Sequence, residues 1–167
     1  MNDTTNRTDH YSRGQIVLHW AVVALVVIQL LSHEAMEDAF KEPGLAKAAI
    51  GEDPVAMVHA ISGIAVLVLM LVRIIFRLRF GAPTLPPDMP QIQQVAAHAT
   101  HLAFYGLLLL IPLAGFIAVA LGSEDMGDVH GTLVTLLWIV LALHIAGALY
   151  HAFVRRDGVF KRILPSR

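Results

Sequence analysis

Histidine is the residue type in this sequence with the widest range of chemistry, and the chain contains nine histidines. His130 and His144 stand 14 residues apart within one long apolar run. Because 14 residues make nearly four turns of an α-helix, both side chains would face nearly the same side, about 21 Å apart along the helix axis. Ionisable side chains in membrane-spanning runs are costly and usually functional. We therefore expect two metal-binding positions at different depths along one helix.

Each of these histidines has a partner candidate at its own depth. His19 lies near the start of the first apolar run, and His59 lies near the start of the second. Since consecutive spans run in opposite directions, depth matching pairs His19 with His144 near one surface and His59 with His130 near the other. Two imidazoles per iron leave no open coordination position, which is typical of electron-transfer haem. Because the sequence contains no cysteine, iron–sulfur clusters, thiolate ligation and c-type attachment are excluded, and we predict two b-type haems.

Three further residues fit this interpretation. Arg73 follows His59 by 14 residues, so it shares the face of His59 at the depth of the other pair. A buried arginine is costly unless it is paired, and a haem propionate would pair it; an arginine that snorkels to the surface is the alternative. Gly63 and Gly147, each about one helical turn beyond His59 and His144, would leave space for a macrocycle, although close helix packing explains them equally well.

Other uses of the histidines stay open at the level of the residues. A histidine in a membrane helix often only forms a hydrogen bond to a neighbouring helix. A zinc site or a proton relay needs its ligands in one cluster, and the two pairs are too far apart for that. A third class, a four-helix transporter or channel without haem, is also compatible with the apolar runs. The matched depths of four histidines favour haem over these alternatives.

Four long apolar runs must position these residues, at about residues 15–31, 54–75, 95–120 and 129–154. Each is near or above the roughly 20 residues that a helix needs to cross a hydrocarbon core. Hydrophobic residues make up 56% of the chain and charged residues 15%, against about half and a quarter in soluble domains. We therefore predict an all-α integral membrane four-helix bundle, with residues 1–167 forming one domain. The first run lacks an A-x-A-like cleavage site, so we expect it to be a retained span.

The lysines and arginines predict the orientation of the bundle. One side of the predicted bundle carries ten basic residues and the other carries two, which by the positive-inside rule makes both termini and the second connection cytoplasmic. The cytoplasmic set is Arg7, Arg13, Arg73, Arg77, Arg79, Arg155, Arg156, Lys161, Arg162 and Arg167, and the outer set is Lys41 and Lys47. The outer connections also carry nine acids, namely Glu34, Glu37, Asp38, Glu42, Glu52, Asp53, Glu124, Asp125 and Asp128. We expect a multi-pass membrane protein with cytoplasmic termini and an acidic outer face.

Several of these motifs occur together in one known pattern. They are Tyr11-Ser12-Arg13 before Leu18-His19-Trp20, Val58-His59 with Gly63, the run Val66–Arg73, and His130 with His144. In these positions the chain resembles the bacterial cytochrome b561 family, from about Tyr11 to Pro165. The resemblance implies a four-helix membrane protein with two b-type haems that exchanges electrons with the quinone pool. It also implies His19, His59, His130 and His144 as iron ligands.

The resemblance further implies a ubiquinone site near the cytoplasmic haem. Quinone reduction needs proton donors beside the carbonyl oxygens, and histidine suits that role at neutral pH. The resemblance favours His151, seven residues beyond His144, with His101 as the second candidate and His98 close by. The alternative is that these are ordinary interface histidines or contacts to propionates.

The external electron donor is less determined by the sequence. Some members of the family are superoxide oxidases, which pass electrons from external superoxide to ubiquinone. Superoxide is an anion and would be attracted by a positive mouth, whereas the predicted outer face carries nine acids and two lysines. An acidic face suits a cationic redox protein instead. The chain is therefore expected to be either a quinone-linked oxidoreductase or an electron-transfer and anchor subunit that serves a separate periplasmic partner without turnover of its own.

Overall fold

The computed structural model describes residues 11–164, so Arg7 and Arg167 of the charge count lie outside the described residues. The main helices are α1 (Arg13–Ala39), α2 (Ala46–Glu52), α3 (Pro54–Phe80), α4 (Gln91–Leu121) and α5 (Glu124–Leu149). Helix α5 continues as a π-helical turn over Tyr150–Arg155, and 3₁₀ turns cover Pro43–Leu45 and Phe160–Ile163. No strand occurs in residues 11–164. The predicted all-α class is confirmed.

The helix ends lie at capping residues. Ser12 and Gln15 form a capping box, in which the Gln15 N–H donates to Ser12 Oγ at 3.3 Å and the Ser12 N–H donates to Gln15 Oε1 at 3.0 Å. The Asp53 side chain caps α3, which begins with Pro54, and the Ser123 side chain caps α5. These side chains accept bonds from N–H groups that have no partner within the helix. Helices α1 and α5 begin before the predicted apolar runs, whereas α3 begins at Pro54, as its run predicts.

Four helices are long and apolar enough to cross a membrane, with lengths of 27, 27, 31 and 32 residues. They are α1, α3, α4 and α5 together with its π-helical turn, as the four apolar runs predict. Helix α1 packs on α3, α3 packs on α4, and α4 packs on α5. The α4–α5 pairing follows from their connection, only Gly122 and Ser123, where Gly122 has a positive φ of 59°. A buried apolar cluster joins the four helices, formed by Val22, Val66, Met70, Leu107, Leu108, Ile111 and Leu137.

The two ends of the bundle differ in charge. We call the end that contains connections 40–53 and 122–123 the acidic end, and the end that contains residues 11–13, connection 81–90 and segment 156–164 the basic end. The first connection is not a simple loop, because it contains helix α2. The prolines of connection 81–90 predict a segment that is extended rather than packed. It contains no helix or strand, and the prediction is wrong about packing, because Pro86 and Met89 are buried.

Candidate functional site

At the acidic end, His59 of α3 and His130 of α5 face each other with their ring centroids 6.5 Å apart. The Nδ1 atom of His130 lies 2.9 Å from the Ile111 carbonyl oxygen. A carbonyl oxygen can only accept, so Nδ1 carries the proton and Nε2 keeps a free lone pair. That arrangement is typical of a metal-binding histidine, because the second nitrogen fixes the tautomer and the orientation of the ring.

His59 has the same arrangement with a different partner. Its Nδ1 atom lies 3.2 Å from the hydroxyl oxygen of Ser32 on α1, which is itself buried. The Ser32 hydroxyl already donates to the Ile28 carbonyl oxygen at 2.7 Å, so its oxygen accepts from His59. The Nε2 atom of His59 is therefore also available as a metal ligand.

Gly115 of α4 is a residue of this site that the sequence pattern did not reveal. A Cβ atom at Gly115 would lie 2.9 Å from His130 Nδ1, which is closer than side chains tolerate. The absent side chain lets the imidazole approach α4 closely enough to reach the Ile111 carbonyl, one helical turn away on the same helix. In the sequence, Gly115 is simply a glycine inside an apolar run, a position that helix packing in membranes commonly favours.

A partly buried amide ties the backbone of His59 to α1. Gln29 Nε2 donates to the His59 carbonyl oxygen at 2.7 Å and to Ser62 Oγ at 2.6 Å. A Cβ atom at Gly63 would lie 3.7 Å from the same Gln29 amide, which is an ordinary contact. Among residues 11–164, no atom lies within 4 Å of a Cβ placed at Gly147. The role of these two glycines beside a macrocycle stays a prediction.

At the basic end, His19 of α1 and His144 of α5 also lie with ring centroids 6.5 Å apart. Within residues 11–164 neither of these rings forms a hydrogen bond. Aromatic edges surround them instead: His19 contacts Trp20 at 5.5 Å, and His144 contacts Phe104 at 5.2 Å and His101 at 5.8 Å between centroids. The structure thus brings His101 to this pair.

The geometry of both pairs suits a metal held from two sides. Bonds from a metal to imidazole nitrogen are about 2.0–2.1 Å long, so two imidazoles on opposite sides of one ion have their nitrogens about 4 Å apart. Ring centroids 6.5 Å apart match that arrangement. No group of three or more His, Cys, Asp or Glu side chains in residues 11–164 could hold an ion. A metal that brings its own equatorial ligands, as in haem, fits two imidazoles per site, whereas zinc held by protein alone does not.

Arg73 provides a second test of that fit. Its Nη1 atom is buried and has no hydrogen-bond partner within residues 11–164. A snorkelling arginine would instead expose its guanidinium. Arg73 lies close enough to His19, His101 and His144 for its positive charge to influence them. It therefore lies beside the basic-end pair. A buried donor without a partner is unfavourable, and the carboxylate of a haem propionate would satisfy it.

His151 lies further along the basic end, in the π-helical turn. Its Nδ1 atom is 2.7 Å from Asp157 Oδ2, and both side chains are nearly buried, at 14% and 9% exposed. Burial by itself would raise the pKa of Asp157, but hydrogen bonds from His151, from the Val159 N–H and from Arg155 hold that pKa below its usual range. A cavity of about 220 Å³ adjoins His151. His98, by contrast, is exposed and bonds the Gln94 carbonyl oxygen of its own helix at 2.7 Å.

Comparison with known proteins identifies the whole chain with one group. The family model described as prokaryotic cytochrome b561 matches residues 10–166. Cytochrome b562 of Cereibacter sphaeroides is 33% identical over 94% of this chain and 96% of its own length. A probable superoxide oxidase of Yersinia pestis is 30% identical over 94% of this chain and 97% of its own length. Cytochrome b561 homolog 1 of Escherichia coli K12 is 25% identical over 95% and 99%.

Proposed function

The chain belongs to the prokaryotic cytochrome b561 family, and from that premise we propose that it carries two haem b groups and transfers electrons across the inner membrane between a periplasmic-side donor and the ubiquinone pool. Membership makes the chain a multi-pass membrane electron-transfer protein with b-type haem. The observation that carries the finer proposal is the occurrence of two histidine pairs, each with ring centroids 6.5 Å apart, at opposite ends of one bundle.

The four histidines act as the iron ligands in this proposal. His59 and His130 hold the haem of the acidic end, and His19 and His144 hold the haem of the basic end. Haem with two imidazole ligands supplies reversible one-electron transfer at the iron. The protein's own contribution is to fix the rings from Ser32 and the Ile111 carbonyl at one end, and to offer the Arg73 guanidinium to a propionate at the other.

The basic end faces the cytoplasm in this proposal. Arg13, Arg77, Arg79, Arg155, Arg156, Lys161 and Arg162 all belong to it, and clustered basic residues favour the cytoplasmic side. Electrons from a periplasmic donor would therefore arrive at the acidic end, and ubiquinone would react at the basic end.

The ubiquinone site includes His151, with His101 as the second contributor. Both lie at the basic end, and the His101 ring is 5.8 Å from that of His144. Reduction of a quinone carbonyl needs a proton as well as an electron, and imidazole delivers protons near neutral pH. We expect His151→Ala to keep both haems and to slow ubiquinone reduction by prereduced protein. An unchanged rate would remove His151 from the site.

Superoxide is one candidate donor, since a relative from Yersinia pestis is named a probable superoxide oxidase. The acidic end argues for another donor. Its exposed residues include Glu34, Glu37, Asp38, Glu42, Glu52, Glu124, Asp125 and Asp128, which repel an anion and attract a cation. A small cationic redox protein is therefore the second candidate, and with it the role of an electron-transfer subunit for a separate periplasmic partner.

One spectrum tests the core of the proposal. We expect the purified protein to give a b-type pyridine haemochrome with two haems per chain. One haem per chain would contradict the assignment of one of the two pairs.

Stopped-flow mixing of the oxidised protein with superoxide, in the presence of ubiquinone, then distinguishes the donors. Haems that stay oxidised would exclude superoxide, and co-purification of a stoichiometric partner would favour the subunit role.

A further inference from the structure

The segment after α5 folds back on itself at the basic end. The π-helical turn Tyr150–Arg155 is closed by the Arg156 N–H, which donates to the His151 carbonyl oxygen at 2.9 Å. Arg156 has a φ of 54°, a left-handed conformation that residues with a side chain rarely adopt. This reversal directs the next residue, Asp157, back towards His151.

Asp157 uses both of its oxygens there. Oδ2 lies 2.7 Å from His151 Nδ1 and accepts from Arg155 Nε at 3.1 Å. Oδ1 accepts from the Val159 N–H at 3.2 Å. A carboxylate that is 9% exposed and bound by three donors is held in its charged form in one orientation.

Arg155 is also held by connection 81–90 and by α4. Its Nη2 atom lies 2.7 Å from Asp88 Oδ2, and its Nη1 atom lies 3.4 Å from Gln93 Oε1. The Asp88 side chain is 72% exposed and does not touch His151. Two carboxylates thus share one arginine, but only Asp157 reaches the imidazole.

We infer that Asp157 is a positioning residue for ubiquinone reduction, which fixes the tautomer and the orientation of His151. The inference rests on the proposed quinone site. Because Nδ1–H is donated to Asp157, Nε2 is the nitrogen that takes up a proton from solvent and passes it to a quinone carbonyl oxygen. Reduction of one quinone to quinol takes two electrons, supplied through the basic-end haem, and two protons. His151 delivers one proton and regains it from water at the adjoining cavity, and the other proton comes from solvent.

The test uses the haem-loaded protein, prereduced and mixed with a short-chain ubiquinone, with haem reoxidation followed by stopped flow. Asp157→Asn removes the carboxylate that accepts from His151 Nδ1, so we expect the rate to fall towards that of His151→Ala. Asp88→Asn, which removes the other carboxylate on Arg155, should leave the rate unchanged.

A second measurement reports the tautomer, which general damage to the site would not change in a defined way. In ¹⁵N-histidine spectra of the reduced protein, His151 should be the Nδ1–H tautomer, and Asp157→Asn should give a mixture. Haem content of each variant serves as the control for folding.

The outcomes separate the two claims. If His151→Ala leaves quinone reduction unchanged, the proposed quinone site is wrong. If His151→Ala slows the reaction but Asp157→Asn leaves both the rate and the tautomer unchanged, the quinone site stands and the role of Asp157 is rejected.

Discussion

The two histidine pairs have equal ring separations but different surroundings. At the acidic end, His59 and His130 each use Nδ1 in a hydrogen bond, to Ser32 and to the Ile111 carbonyl oxygen. At the basic end, His19 and His144 are surrounded by aromatic edges. The bundle thus fixes one pair by directional bonds and the other by packing. Titratable residues, His101 and His151, are found beside the second pair, which is where a substrate that takes up protons would react.

This contrast bears on the iron. A hydrogen bond donated from Nδ1 raises the basicity of the ligating nitrogen and fixes the ring, and such bonds are one means by which a protein sets a haem potential. The acidic-end haem should therefore respond to changes in hydrogen bonding, and the basic-end haem should respond mainly to changes in shape.

The largest expected effects come from the ligands. We expect His59→Ala or His130→Ala to lose chiefly the acidic-end haem, and His19→Ala or His144→Ala to lose chiefly the basic-end haem, because each iron would lose one of its two protein ligands. Haem per chain and redox titration of the remaining haem measure this. Loss of the same haem from all four variants would contradict the pairing.

Gly115→Ala should come next. The new Cβ atom would lie 2.9 Å from His130 Nδ1, so the ring must leave the Ile111 carbonyl, and overpacking of this kind costs about 1–3 kcal/mol. We expect reduced occupancy of the acidic-end haem alone. Gly106→Ala on the same helix is the matched control, because no atom lies within 4 Å of its Cβ position. Equal haem content in the two variants would argue against the role of Gly115.

Ser32→Ala should have a smaller effect. It removes the acceptor of the His59 Nδ1 proton, and loss of such a partner typically weakens metal binding by about 10–100-fold. We expect weaker haem retention and a shifted midpoint potential for one haem, with the other unchanged. Ser62→Ala is the control, since Ser62 bonds Gln29 and backbone rather than a ring. A shift of both haems, or of neither, would count against the contrast between the ends.

Trp20→Phe should have the smallest effect. It keeps an aromatic edge beside His19 but loses the bond from Trp20 Nε1 to the Ile163 carbonyl oxygen, which is 2.9 Å long. A single hydrogen bond contributes about 0.5–1.5 kcal/mol, so we expect a slightly lower melting temperature with both haems retained. Loss of the basic-end haem would mean that this pair also depends on a hydrogen bond.

The parts of the site that could be predicted are those that depend on the sequence of a single helix. The spacing of His130 and His144 is a property of a single helix, and the apolar runs predict spans without reference to neighbours. Gly115 and Ser32 could not be predicted, because they matter only through the α4–α5 and α1–α3 contacts and the vertical register between those helices. Hydropathy does not encode that register. The same limit applies to the contact between Gly63 and Gln29 of α1.

The helix ends show a similar division. Ser12 and Ser123 cap helices that begin before the apolar runs, and hydropathy alone does not place the polar residues of these first turns inside or outside a helix. Helix α2 could not be predicted because its seven residues are too few for a helical periodicity to appear in the sequence.

The 14-residue spacing of His130 and His144 also has an electrical consequence. An electron passing between the two pairs would move about 21 Å along the helix axis, which is roughly two thirds of a hydrocarbon core about 30 Å thick. A transmembrane voltage acts on a charge with about 2.3 kcal/mol per 100 mV for the full thickness. The free-energy difference between an electron at one end and at the other would then change by roughly 1.5 kcal/mol for each 100 mV. The ratio of the two populations would change about tenfold. The membrane voltage that respiration generates would thus shift the equilibrium of electron transfer between the two ends of this bundle.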